Sequence, residues 1–214
     1  MNETVQGIQM RELPDFSPIP AICDASSDLL SRPIPMERFS MIYASAQKNI
    51  GPAGLTIVIV HEELLNRCRL GLHPMLNYRE LAGANSLLNT PPIFSIYVTL
   101  LVTRWIRDHI GGLKEMAIYN YQKADLLYNV IENSGGFYQG HARPKSRSYM
   151  NVTWQLLNEE IENRFITEAA IAHCIELKGH RSVGGIRASL YNAVSMESCE
   201  YLVEFMKDFL RREG

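Results

Sequence analysis

The sequence has no CxxC pair; its four cysteines stand singly at positions 23, 68, 174 and 199. A disulfide framework or a structural zinc site needs closer, patterned spacing, so these residues are expected to be reduced and partly in the core. Neither charge sign is in excess. The net charge is -2 at pH 7, the pI is near 6.3, and acidic and basic residues are mixed along the chain. That balance gives no electrostatic reason to expect nucleic acid or an anionic membrane as a partner. A long hydrophobic run is also missing. The longest apolar stretch, Pro91 to Trp105, is interrupted by Ser95 and Thr103 and runs into Arg107-Asp108-His109, too short and too polar for a membrane span. No apolar segment follows Met1-Asn2-Glu3-Thr4, so no secretory leader is expected and a cytoplasmic location is. Internal repeats and low-complexity tracts are absent.

What remains is an ordinary globular composition, 46% hydrophobic and 21% charged over 214 residues, enough for one large domain or two small ones. Prolines 14, 18, 20, 33 and 35 bar any long helix near the start. Between them, Ile19 to Cys23 reads as a short buried strand ending at Asp24-Ala25-Ser26-Ser27. Ser40 to Ala46 and the β-branched run Leu55 to Val60 read as strands joined by only a few residues. Parallel strands need a longer crossover, so this pair is expected to be antiparallel. Lys48 then falls where a buried strand gives way to the turn Gly51-Pro52-Ala53-Gly54.

Helices are expected over Glu62–Leu70, Pro91–His109 and Leu113–Asn133, the last stopped by Gly135-Gly136. Beyond them, Met150–Leu156 alternates like a half-buried strand and Ile186–Tyr191 reads as another. Glu159–Ala172 and Met196–Arg212 read as amphipathic helices. This pattern suggests a separate small α+β domain, with residues 1–115 and 116–214 as the two parts.

Three groups of residues carry possible chemistry. Asp24 and Lys48 each end an apolar strand, where open α/β sheets place ligands. A lysine that can lose its proton and a carboxylate are two of the three things pyridoxal 5'-phosphate needs, the third being phosphate donors. Gln47 and Asn49 flank the lysine with uncharged polar groups. On spacing alone, a lysine before a turn is more often a solvated surface charge, and an aspartate after a strand is more often a cap. The second group is Lys178-Gly179-His180-Arg181-Ser182-Val183-Gly184-Gly185-Ile186-Arg187, suited to phosphate or carboxylate through arginine forks and close backbone approach. A solvated basic loop is the plainer reading. The third is Asn89-Thr90-Pro91-Pro92, where Thr90 reads as an N-cap or, at a helix start, as a phosphate contact.

Taken together, Asp24 to Pro33, Tyr43 to Gly54, Asn89 to Pro92 and Lys178 to Ala193 resemble the phosphoserine aminotransferase family, in that family's order, from residue 2 to the C-terminus. The Ala46-Gln47-Lys48-Asn49 and Lys178-Gly179-His180-Arg181 stretches are specific to it within the class-V, fold-type-I aminotransferases, and the second argues against alanine–glyoxylate aminotransferase. The resemblance implies an α/β fold. A large domain holds a mixed, mostly parallel sheet, a small C-terminal α+β domain follows, and the assembly is a homodimer. It implies that Lys48 forms the Schiff base with pyridoxal 5'-phosphate, that Asp24 holds the pyridinium nitrogen, and that Thr4 and Gln47 contact the cofactor. Asn89 and Thr90 would reach the cofactor phosphate of the partner subunit. His180 and Arg181 would hold the substrate phosphate and Arg187 the α-carboxylate. The implied reaction is transamination between glutamate and 3-phosphohydroxypyruvate, giving phosphoserine and 2-oxoglutarate in serine biosynthesis.

Two small departures are Ser45, where the family usually has glycine, and a Thr4–Asp24 segment one residue shorter than in some relatives. A larger one is that the match covers only the C-terminal part of the family's chain. The remaining part would carry a Gly-Arg phosphate turn, an aromatic residue stacked on the cofactor, further basic residues and several strands. A catalytically silent, folded or dimerising remnant of the enzyme is therefore the alternative expectation.

Overall fold

The computed structural model describes all residues from Met1 to Gly214. The chain opens with a small antiparallel hairpin, β1 (Asn2–Glu3) and β2 (Ile8–Gln9). Next come β3 (Ile22–Asp24), β4 (Met41–Ser45) and β5 (Thr56–Val60), which form one sheet in that order. Strands β3 and β4 are parallel and β4 and β5 antiparallel, the latter as the short connection requires. One of the two pairings in this sheet is parallel and the other antiparallel, so the sheet is mixed. The first strand starts later than its apolar residues suggest. Ile19 is 73% exposed and outside it, and even Ile22 is 58% exposed on this edge strand.

Helices α1 (Glu62–Asn66), α2 (Tyr78–Gly83) and α3 (Ile93–Trp105) follow, α1 and α2 capped by His61 and Asn77. The last of them widens into a π-helical segment, Ile106–Ile110, before Gly111 and Gly112 stop it with positive φ. Thr90 is not its cap: Pro92 holds that position and no side chain caps the helix.

The second part is α4 (Leu113–Glu132), β6 (Gln139–Gly140), β7 (Asn151–Gln155), α5 (Glu159–Ile171), β8 (Ile186–Ser189) and α6 (Met196–Glu213). Its three strands form an antiparallel sheet in the order β6-β7-β8. Along α6 the buried residues Cys199, Leu202, Val203, Met206 and Phe209 recur at helical spacing, and Ser195 caps the first turn through the Ser198 N–H. These side chains meet Trp154 and Phe165, which pack edge to face at 6.1 Å. Each such fully buried large side chain contributes about 1.5–3 kcal/mol. Helix α4 packs against β7 on one side and the opening hairpin meets Asn151 and Thr153 on the other, so its residues 151–154 are all buried rather than alternating.

The two sheets have separate cores, one built around Ile42, Ala44 and Ile50 and the other around Trp154, Phe165 and Phe209. The opening hairpin spans them. Asn2 Nδ2 donates to Ser27 Oγ at 3.1 Å and to Asn151 Oδ1 at 2.7 Å, and Thr153 Oγ1 donates to the Gln6 carbonyl at 2.8 Å. Gly7 makes that docking possible. Its φ is +68°, and a Cβ there would lie 2.5 Å from the Asn151 carbonyl oxygen.

Candidate active site

Lys48 follows β4 in a single turn closed by the Ile50 and Gly51 N–H groups on the Ala46 carbonyl. Its Nζ donates to Thr4 Oγ1 at 2.9 Å, a contact between residues 44 positions apart. Asp24 ends β3, directly beside Tyr43 on β4. Partial burial alone would raise the Asp24 pKa. Hydrogen bonds from the Ser26 hydroxyl and N–H, the Tyr43 hydroxyl and the nearby Lys48 charge outweigh it and hold the carboxyl below its usual range. The Ser26 N–H bond to Asp24 Oδ1 is 2.9 Å. Thr4, Asp24 and Lys48 line one open cleft of about 620 Å³, with apolar walls from Leu13, Phe16 and Phe39 among others. The lining is mostly apolar with a few polar groups, Asn2, Glu3, Thr4, Asp24 and Lys48, on it.

The remaining residues named from sequence lie elsewhere. Gln47 is exposed and outside the cleft lining. Asn89 and Thr90 are also exposed, and the Asn89 side chain bonds only the Thr90 carbonyl. On the second sheet, Arg187 sits in β8 opposite Thr153, the residue whose hydroxyl holds Gln6. Only Val5 separates Gln6 from Thr4, so the hairpin ties the Arg187 strand to the Lys48 cleft. Arg187 Nε is buried and has no protein acceptor, an unmet donor of the kind a bound anion satisfies.

His180 and Arg181 occupy the loop that leads into β8. The Gly179 N–H donates to the Gly185 carbonyl at 2.8 Å, and a Cβ on Gly179 would lie 2.0 Å from the Gly184 oxygen, so the loop closes only with glycine. His180 Nδ1 lies 2.7 Å from Ser182 Oγ, which turns the ring away from free rotation.

The sequence profile of the aminotransferase class-V family matches residues 2–202 of this chain. The chain belongs to the aminotransferase class-V family. Phosphoserine aminotransferase of Desulfosudis oleivorans is 51% identical over 213 residues, covering all of this chain and 59% of that protein. A solved phosphoserine aminotransferase from Bacillus circulans subsp. alkalophilus superposes with a TM-score of 0.96 at 48% identity, covering 100% of this chain and 59% of that one. A pyridoxal-phosphate-bound phosphoserine aminotransferase from Trichomonas vaginalis gives 0.90 at 38% identity, covering 96% and 58%. The chain thus spans about 59% of the length of the curated relatives it matches, and its fold is that of these aminotransferases.

Within this class-V chain, several supporting residues gave no signal in sequence spacing. Glu162, on α5, accepts from the Gly185 and Leu156 N–H groups and props the glycine loop from below. His141 packs beside Gly185 with both ring nitrogens buried and without partners. Burial pushes its pKa down, against an upward pull from Glu162. Asn49, read from sequence only as an uncharged neighbour of the lysine, is buried and bonded on both sides of its amide.

Proposed function

We propose that this chain is a pyridoxal-phosphate-dependent phosphoserine aminotransferase, moving an amino group between glutamate and 3-phosphohydroxypyruvate to give phosphoserine and 2-oxoglutarate. The observation that carries this reading is the Thr4–Lys48 hydrogen bond in one cleft with an ionised Asp24, in a chain about half identical to phosphoserine aminotransferases. The donor set fits the cofactor: a primary amine, a carboxylate held ionised, apolar walls, and an unmet Arg187 donor on the neighbouring sheet.

When bound, pyridoxal phosphate supplies an aldehyde that condenses with amines and a ring that accepts electrons. Every other task falls to the protein. The Asp24 carboxylate holds a proton on the ring nitrogen by Coulomb attraction. Thr4 Oγ1 orients Lys48 Nζ, and Nζ takes the substrate Cα proton and returns it as base and then acid. Arg187 offers its fork to the α-carboxylate, and His180 with Arg181 holds the substrate phosphate. Gln47 contacts the cofactor phosphate, and Asn89 and Thr90 do so across a homodimer interface. Residues 1–115 act as the cofactor part and 116–214 as the small domain that brings the substrate arginines. No helix is long and apolar enough to cross a membrane, in keeping with work in the cytoplasm.

The test is direct. Pyridoxal phosphate added to the purified chain is expected to give an absorbance band near the visible edge that Lys48→Ala abolishes, with amino transfer from glutamate. A second reading, a folded or dimerising module without activity, draws on one observation: Lys48 is the only lysine or arginine side chain lining the cleft. A chain that gives neither band nor transamination, yet sediments as a dimer, supports that second reading and overturns the first.

A further inference from the structure

Behind Lys48 lies a buried polar connection that the chemistry above does not use. Asn49 points inward as Lys48 points out. Its Nδ2 donates to the Leu29 carbonyl at 2.7 Å, and its Oδ1 accepts the Asn192 N–H at 2.9 Å. Asn192 in turn donates from Nδ2 to the Leu30 carbonyl at 3.0 Å. Its Oδ1 accepts from Asn120 Nδ2 at 2.8 Å, and Asn120 also donates to the Ser31 carbonyl at 3.1 Å. All three asparagines are at least nine-tenths buried: 7%, 2% and 1% exposed for Asn49, Asn192 and Asn120.

Asn192 is itself fixed. It sits in the turn between β8 and α6, and the buried Lys123 ammonium donates to the Leu190, Tyr191 and Val194 carbonyls at 2.9–3.1 Å. Three N–H donors meet three carbonyls, so this turn has little freedom. The same short segment therefore carries Arg187 on its strand and, five residues later, the group that grips the lysine turn.

We propose that Asn49, Asn192 and Asn120 form a clasp that positions Lys48 and couples it to the β8 strand bearing Arg187. The clasp replaces an apolar contact between the two cores with directional bonds, which fix one relative setting where packing alone would allow several. A carboxylate drawn onto Arg187 pulls on the strand that ends in Asn192, and Asn192 holds the turn from which Lys48 projects. Asn49 and Asn192 are positioning residues, since neither touches the cleft. The coupling to substrate rests on the proposed function; the positioning of Lys48 does not.

The test measures Lys48 itself. The chain and its Asn49→Leu, Asn192→Ala and double variants are acetylated briefly at one pH, and labelling of Lys48, Lys114 and Lys178 is followed by mass spectrometry. The Lys48 rate is expected to rise about three- to tenfold in Asn49→Leu, the span one or two lost hydrogen bonds convert to, and by a smaller factor in Asn192→Ala, which keeps the N–H that Asn49 accepts but loses the side-chain bonds that fix it. Lys114 and Lys178 stay unchanged, and the double variant adds little, because both substitutions open the same clasp. Asn49→Ser, which keeps an acceptor for the Asn192 N–H, restores part of the wild-type protection of Lys48. The absorbance of the pyridoxal phosphate complex is expected to shift or weaken in the same variants.

Unchanged Lys48 labelling in folded variants, or an equal rise at all three lysines, overturns the clasp. If Asn49→Leu does not fold, Asn49→Ala carries the same comparison, because Asn192→Ala keeps the N–H that Asn49 accepts and loosens only its anchoring to Leu30 and Asn120. A wild-type chain that takes no cofactor overturns the proposed function, while the labelling still decides the clasp.

Discussion

The Thr4 hydroxyl is the acceptor that sets the direction of Lys48 Nζ. Thr4→Val keeps the shape and removes it, so cofactor affinity is expected to fall by about 1 kcal/mol, roughly fivefold, in an absorbance titration. Lys123 gives a sharper prediction. Burial lowers its pKa from 10.5 to about 8, and burial raises that of the adjacent Cys199 from 9.0 to about 11. Between pH 8 and 9 the unfolded lysine binds more protons than the folded one, so stability rises with pH. From 9 to 10.5 the unfolded thiol binds fewer protons than the folded thiol, and the two slopes oppose. Urea unfolding across this range is therefore expected to show a rise and then a plateau, with the rise continuing in Cys199→Ala. Lys123→Met, which strands three carbonyls, is expected to cost about 2–4 kcal/mol. At this scale the sequence was partly legible. Spacing places Asp24 and Lys48 after apolar strands, where the plainer reading is a cap and a surface charge, and the family resemblance gives them and Thr4 their expected roles. The partners of Asn49, Asn120 and Asn192 lie up to 162 residues apart, and no local pattern encodes such a pairing.

Among the elements, the strands and helices with strong periodicity lay where residue patterns put them, because α4 and α6 bury their apolar positions against one core. Two-residue strands such as β1 and β2 have no period to read, and they form because Gly7 lets the hairpin press on β7. Gly7→Ala is expected to cost about 1–3 kcal/mol in urea unfolding, through both its φ and the close Asn151 oxygen. Helix α3 behaves differently. Ile93 and Phe94 are 70% and 72% exposed, and Tyr97, Leu100 and Leu101 extend the same face. A contiguous exposed apolar face of this kind is larger than the scattered apolar residues of an ordinary surface, and it is where association is tested. The double variant Phe94→Lys, Tyr97→Lys is expected to reduce concentration-dependent association in sedimentation velocity while leaving the helix content by circular dichroism unchanged.

At the scale of the whole molecule, the cleft depends on both sheets at once, since its floor belongs to one and the hairpin over it is anchored to the other. A ligand that binds only the assembled state stabilises it by mass action, about 2.7 kcal/mol at one hundred times its Kd. Pyridoxal phosphate is thus expected to raise the melting temperature of the chain and not that of Lys48→Ala. The hairpin also imposes an order in time. Asn2 meets Asn151 across 149 residues and Gln6 meets Thr153 across 147, contacts whose closure is slow because so much chain must first be confined. During synthesis Thr4 emerges long before the strand that fixes it, so Lys48 acquires its partner only after the second sheet has formed. Lys48 is consequently among the last side chains to gain its hydrogen-bond partner, since that partner is held in place only once β7 has paired with the hairpin.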